Sequence, residues 1–174
     1  MKYNPNDYYL TEILTELYPA IHKEYFRWHR FIKTVRYRDF LWKNDLEKSG
    51  NWSMVPLMKW HKPVWYQRFF FPKTYDLIKK IPIYENLMFS IYQPGTEVHP
   101  HNGWGDHYVR IHLGLQCNNQ CDLIVNNTVY PERNNEVIMF DDSQLHYSYN
   151  RGSSERIILL FDILKEDLKK YKKP

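Results

Sequence analysis

Apolar residues follow two rhythms along this chain, and the change comes near Asn86. Before it, Leu10, Ile13, Leu14, Leu17, Tyr18 and Ile21 recur at helical spacing. They predict an amphipathic helix capped by Asp7 or Thr11 and kinked or ended at Pro19. Ile32, Val35, Phe40, Leu41 and Leu46 predict a second amphipathic helix over about 31–46, stopped by Gly50. Trp52 to Leu57 reads as a short strand. Trp60 to Phe71 is dense in aromatics but holds Pro63, so it reads as a loop whose rings serve the core or a pocket wall. Pro72 to Ile81 predicts a short helix with Tyr75, Leu77 and Ile78 inward, ended by Pro82.

After Asn86 the rhythm becomes that of strands. Leu87–Tyr92, Val98–His101, Tyr108–Cys117, Asp122–Val125, Thr128–Tyr130, Glu136–Phe140, Leu145–Tyr149 and Arg156–Leu164 are separated by turn pairs such as Pro94-Gly95, Asn126-Asn127 and Gly152-Ser153. Short strands at this spacing predict a small jelly-roll or barrel. The expected architecture is mainly β with flanking N-terminal helices. It forms one domain over 1–174, with helical support and lead-in strands in 1–85, a β core in 86–164 and a basic, solvated tail in 165–174.

Composition narrows the function classes. The 174 residues suffice for one sizeable core. The net charge is +4, but the last ten residues hold five lysines against Glu166 and Asp167, so most of the surplus lies in the tail. A nucleic-acid surface is not expected. No apolar run approaches the roughly 20 residues of a membrane span, and the polar start predicts no leader, which points to a cytoplasmic protein. Cys117 and Cys121 are too few for a zinc site. They read as free thiols, a hairpin disulfide, or residues without function.

The chemistry concentrates in Glu97 to Leu115, which holds four of the eight histidines: His99, His101, His107 and His112. Its second half alternates, with Val109, Ile111 and Leu113 on one face and Arg110, His112 and Gly114 on the other. Further on stand His146 and Arg156, the latter opening a strongly apolar strand. A buried arginine there needs an anionic partner. Two imidazoles from separate strands with an arginine one strand away suit a metal-chelating 2-oxo acid, its far carboxylate meeting the guanidinium. His99 and His107 read as rim residues, Asp141 and Asp142 as the turn that orients His146, and Asp162 as a sheet-edge residue without a role.

Taken together, Ser90, Pro94-Gly95-Thr96, His101-Asn-Gly103, Arg110-Ile-His112-Leu-Gly-Leu, Phe140-Asp-Asp-Ser, His146 and Arg156 resemble the aspartyl/asparaginyl β-hydroxylase family. Those proteins are Fe(II)- and 2-oxoglutarate-dependent oxygenases with a double-stranded β-helix, a cupin-like jelly-roll. The resemblance covers about 90–162, and more weakly Gly50-Asn-Trp52. It implies His101 and His146 as metal ligands for Fe(II), and Arg156 with Ser90 for the distal carboxylate of 2-oxoglutarate. It implies His112, with Arg110, for the proximal carboxylate, Arg110 also for substrate, and Trp52 in the pocket wall. Gly103 stands where many such oxygenases carry a third, carboxylate ligand, and Asp106 is the runner-up for that place.

The activity implied is O2-dependent hydroxylation of an unactivated C–H, with 2-oxoglutarate decarboxylated to succinate. The substrate would be the β-carbon of an aspartyl or asparaginyl residue in a peptide, or a related amino acid or small molecule. A free metabolite or a lipid is the alternative substrate, and a non-catalytic cupin-like binding module is the alternative class. No oligomeric state is implied.

Overall fold

A computed structural model describes residues 3–40 and 46–174. Helix α1 (Tyr9–Trp28) opens the chain and is followed by β1 (Val35–Arg36) and the single turn α2 (Tyr37–Phe40). Strands β2 (Glu47–Ser49), β3 (Trp52–Lys59) and β4 (Lys62–Pro63) come next, then a 3-10 segment and the one-turn helices α3 (Pro72–Tyr75) and α4 (Leu77–Lys80). The second half is a run of strands: β5 (Ile83–Tyr92), β6 (Thr96–Val98), β7 (Tyr108–Gln116), β8 (Cys121–Val125), β9 (Thr128–Pro131), β10 (Val137–Phe140), β11 (His146–Asn150) and β12 (Arg156–Leu164). Helix α5 (Lys165–Leu168) follows.

The strands form two antiparallel sheets, as expected of a cupin-like jelly-roll. The larger runs β1-β3-β5-β12-β7-β10, with β4 paired to β3, and the smaller runs β2-β6-β11-β8-β9. Period-two alternation explains why the larger sheet is buried on both faces. On its outer face Phe89, Ile91, Val109, Ile111, Leu113, Ile157, Leu159 and Phe161 pack with Leu10, Leu14, Ile21 and Tyr25 of α1. Burying each such side chain contributes about 1.5–3 kcal/mol. The alternate positions Met88, Ser90, Tyr92, Arg110, His112, Arg156 and Leu160 face the smaller sheet and line a cavity.

Several expectations need correction. Helix α1 runs through Pro19 to Trp28, because its buried face continues to Tyr25 on the sheet. Its cap is Tyr8 and makes no side-chain hydrogen bond. Asp7 precedes it in a 3-10 turn, and the Thr11 hydroxyl bonds the Pro5 carbonyl instead. The expected second helix over 31–46 is replaced by β1 and α2, with Val35 in register with Met54 of β3. Leu41 lies outside the described residues.

The expected single helix over Pro72 to Ile81 is divided into α3 and α4. The aromatic stretch before it divides: Trp65, Tyr66 and Phe69 are exposed, Phe71 is buried in the core, and Trp60, half exposed, lines the cavity. The tail is not a solvated end. Leu168 is buried, Lys165 pairs with Asp141, and the Lys173 amide bonds the Asp7 carbonyl. Both cysteines are free, with Cys121 buried. Among the described residues, no helix is long and apolar enough to cross a membrane.

Candidate active site

The cavity between the sheets encloses about 580 Å³, within the range usual for small-molecule sites. His101 and His146 meet at one end. His101 follows the short strand β6 and His146 opens β11, and their backbones exchange two hydrogen bonds, of 3.0 and 2.9 Å. This pairing sets the two imidazoles side by side, with ring centroids 4.2 Å apart. Each ring turns Nδ1 to a carbonyl two residues away, that of His99 at 2.8 Å and that of Gln144 at 2.8 Å. A carbonyl can only accept, so each Nδ1 carries a proton, which makes Nε2 the ligating nitrogen of a neutral ring. Burial lowers the His146 pKa to about 4, which keeps its ring neutral, the form that ligates a metal.

Beside them lies a buried polar network. Arg110, opposite Asp162 in the β7–β12 register, places Nε 2.8 Å from Asp162 Oδ1 and Nη1 2.5 Å from Asp142 Oδ1. Asp142 Oδ2 accepts from the Tyr108 hydroxyl at 2.7 Å, and its Oδ1 lies 3.5 Å from His146 Nε2. Burial pushes the Asp142 carboxyl up, but Arg110 and then His146 outweigh it, and the net shift is downward. Asp142 Oδ1 accepts no well-formed hydrogen bond although it is buried.

The expectation for the aspartate pair therefore divides. Asp141 makes the turn, accepting from the Ser143 amide and hydroxyl, while Asp142 turns inward. Asp162 is not at a sheet edge but fully buried in the central strand β12. Asp106 is exposed and does not line the cavity. His99 and His107 also lie off the lining, and His107 contacts Tyr84.

Gly103 is explained by Asp142. A Cβ at position 103 would stand 1.6 Å from Asp142 Oδ2, while the Gly103 amide bonds the Asp142 carbonyl at 2.7 Å. Asp142, in the turn between β10 and β11, thus fills the space beside Gly103. Gly103→Ala is expected to lose about 1–3 kcal/mol of stability to overpacking, read from the urea midpoint, with Asp142 displaced.

Arg156 lines the same cavity. Its Nη1 donates to Ser90 Oγ at 3.3 Å, Trp52 Nε1 donates to the same oxygen at 3.1 Å, and its guanidinium stacks 4.2 Å above the Tyr92 ring. Trp52 itself stacks on Tyr37 at 3.5 Å. The anion that the sequence requires for Arg156 is present in the chain, as Glu132. Arg156 Nε lies 2.6 Å from Glu132 Oε2 and Nη2 lies 2.5 Å from Oε1, and His112 Nδ1 meets the same Oε1 at 3.0 Å.

Burial pushes Glu132 up, but Arg156 and His112 overcome this and hold its pKa at about 2. Gly114 makes the arrangement possible, since a Cβ there would lie 2.0 Å from the Arg133 carbonyl and push away the loop that carries Glu132. Sequence reasoning missed Glu132, which sits between turns without a motif. The one available signal was the demand of a buried arginine for a partner.

The structure thus brings His101, His146, Arg110, His112, Arg156, Ser90 and Trp52 to one cavity. Among the described residues, no three His, Cys, Asp or Glu side chains form a metal-holding group, so a metal here would rest on two imidazoles of the chain. The donor set fits one divalent ion: two imidazoles on a shared backbone bridge, with a carboxylate next to one of them.

The fold resembles a predicted oxalate decarboxylase from Thermotoga maritima, with a TM-score of 0.51 and 16% identity, covering 78% of this chain and 95% of that one. An ornithine lipid ester-linked acyl 2-hydroxylase from Rhizobium tropici is 32% identical over 97 residues, covering 54% of this chain and 34% of its own length. Human aspartate beta-hydroxylase domain-containing protein 2 is 29% identical over 131 residues, 70% of this chain and 36% of that protein. Human aspartyl/asparaginyl beta-hydroxylase is 30% identical over 130 residues, 71% of this chain and 17% of that protein. The chain therefore spans about a third or less of the length of these three relatives. The aspartyl/asparaginyl beta-hydroxylase family model matches residues 15–166, and the chain belongs to that family.

Proposed function

We propose that this protein is a hydroxylase that uses Fe(II), O2 and 2-oxoglutarate to oxidise an unactivated C–H bond. The observation that carries this reading is the bridged His101–His146 pair lining one cavity together with Arg156. His101 and His146 would hold the iron through Nε2. Arg156 and Ser90 would receive the far carboxylate of the oxo acid, and His112 and Arg110 line the same cavity. When bound, iron and oxo acid supply O2 activation, with decarboxylation to succinate and CO2 and delivery of one oxygen atom to the substrate carbon.

The chain's own contribution is positional. The backbone bridge aligns the two imidazoles, and the Nδ1 bonds lock their tautomers. Asp142 and Asp162 hold Arg110 at one side of the cavity. Met54, Met88, Leu123, Phe140 and Leu160 make the lining apolar and limit water.

An aspartyl, asparaginyl or related amino-acid group is the substrate class the family suggests, and the Rhizobium tropici relative adds acyl groups of amino-acid lipids. Succinate release from 2-oxoglutarate with Fe(II), tested against amino-acid, peptide and lipid panels, distinguishes these. Uptake of neither iron nor manganese would favour a binding module instead. Arg156→Lys keeps the charge but cannot hold Glu132 and Ser90 Oγ together as the guanidinium does. It is expected to raise the KM for 2-oxoglutarate about tenfold to a hundredfold, with a smaller fall in kcat.

A further inference from the structure

We infer that Glu132 is a specificity-determining residue, an internal carboxylate that competes with the far end of the oxo acid for Arg156. The inference rests on the oxygenase reading above and concerns which oxo acid the cavity accepts. Glu132 already takes the Nε and Nη2 edge of the guanidinium, at 2.6 and 2.5 Å. That side edge is one of the guanidinium's two bidentate forks, so a second carboxylate is left the end formed by Nη1 and the other Nη2 proton, where Nη1 already donates to Ser90 Oγ at 3.3 Å.

Charge follows the same logic. Both arginines that line the cavity are already matched, Arg156 by Glu132 and Arg110 by Asp142 and Asp162. An incoming far carboxylate therefore meets a neutral pair rather than an open cation, with a like charge beside it. His112 cannot relieve this, because burial lowers its pKa and its Nδ1 is spent on Glu132. A neutral, hydrogen-bonding end would fare better. An amide could donate to a Glu132 oxygen and accept from Arg156 Nη1 or Ser90 without adding charge.

The test is calorimetric titration of the Mn(II)-loaded full chain with three 2-oxo acids that differ only at the far end: 2-oxoglutarate, its 5-amide 2-oxoglutaramate, and 2-oxopentanoate. Wild type is expected to bind the amide at least as tightly as 2-oxoglutarate. Glu132→Gln removes the competing charge and keeps the shape. It is expected to tighten 2-oxoglutarate about tenfold or more while leaving 2-oxopentanoate within about twofold.

A wild type that binds 2-oxoglutarate tenfold tighter than the amide would overturn the inference and leave the oxygenase reading standing. So would a Glu132→Gln variant with unchanged or weaker 2-oxoglutarate binding. Should the variant not fold, the wild-type ratio of amide to acid decides alone. If none of the three compounds binds, the oxygenase reading and the inference fall together.

Discussion

His101→Ala and His146→Ala should each cut Fe(II)-dependent succinate formation at least about a thousandfold, or about 4 kcal/mol in barrier. The size follows from the ligand count. If the two imidazoles are the chain's metal ligands, as proposed, removing one leaves a single donor for the metal that would supply the chemistry. The fold should survive, because the pairing that joins the two positions runs through backbone atoms that alanine keeps. Thermal melting should therefore show two folded proteins that no longer retain iron or manganese on gel filtration. His107→Ala is the control: His107 bonds the Tyr84 hydroxyl outside the cavity lining, and turnover should stay within about twofold. Activity retained in both ligand variants would remove the assignment.

The second large effect is on stability. Asp142→Ala should cost about 3–5 kcal/mol in urea unfolding, the usual penalty for breaking a buried ion pair from one side. The carboxylate is fully buried and is shared by Arg110, Tyr108 and the neighbourhood of His146. Its loss leaves Arg110 with Asp162 alone and the Tyr108 hydroxyl without its acceptor. The milder Asp142→Asn keeps the volume and should still lower manganese affinity about tenfold to a hundredfold, as removal of an outer carboxylate beside a ligating histidine does. A fully stable Asp142→Ala would mean that Arg110 is satisfied without it.

What could be read in the sequence was what depends on alternation. Strands β5, β7 and β12 each put apolar residues at every second position, and those positions are the ones that pack on α1. The same parity turned Ser90, Arg110, His112 and Arg156 toward one cavity. Illegible features depend on where loops close. Glu132 reaches Arg156 only because Gly114 lets the β9–β10 loop pass close to β7. Asp142 occupies the space beside Gly103 although the two lie far apart in the chain. The N-terminal half misled for another reason. Periodicity over 31–46 suited a helix, but Val35 and Arg36 lie within reach of an open edge of β3 and pair with it. At Pro19 the packing of Ile21 and Tyr25 on the sheet outweighs the local cost of proline in a helix.

The proposed function rests on one cation held between His101 and His146. Anomalous diffraction from crystals soaked in Mn(II), recorded on and off the metal edge, tests this directly. A single peak within coordination distance of Nε2 of both rings, about 2.0–2.3 Å, is the predicted result. A peak elsewhere on the protein, or none at a manganese concentration that saturates calorimetric binding, would contradict it.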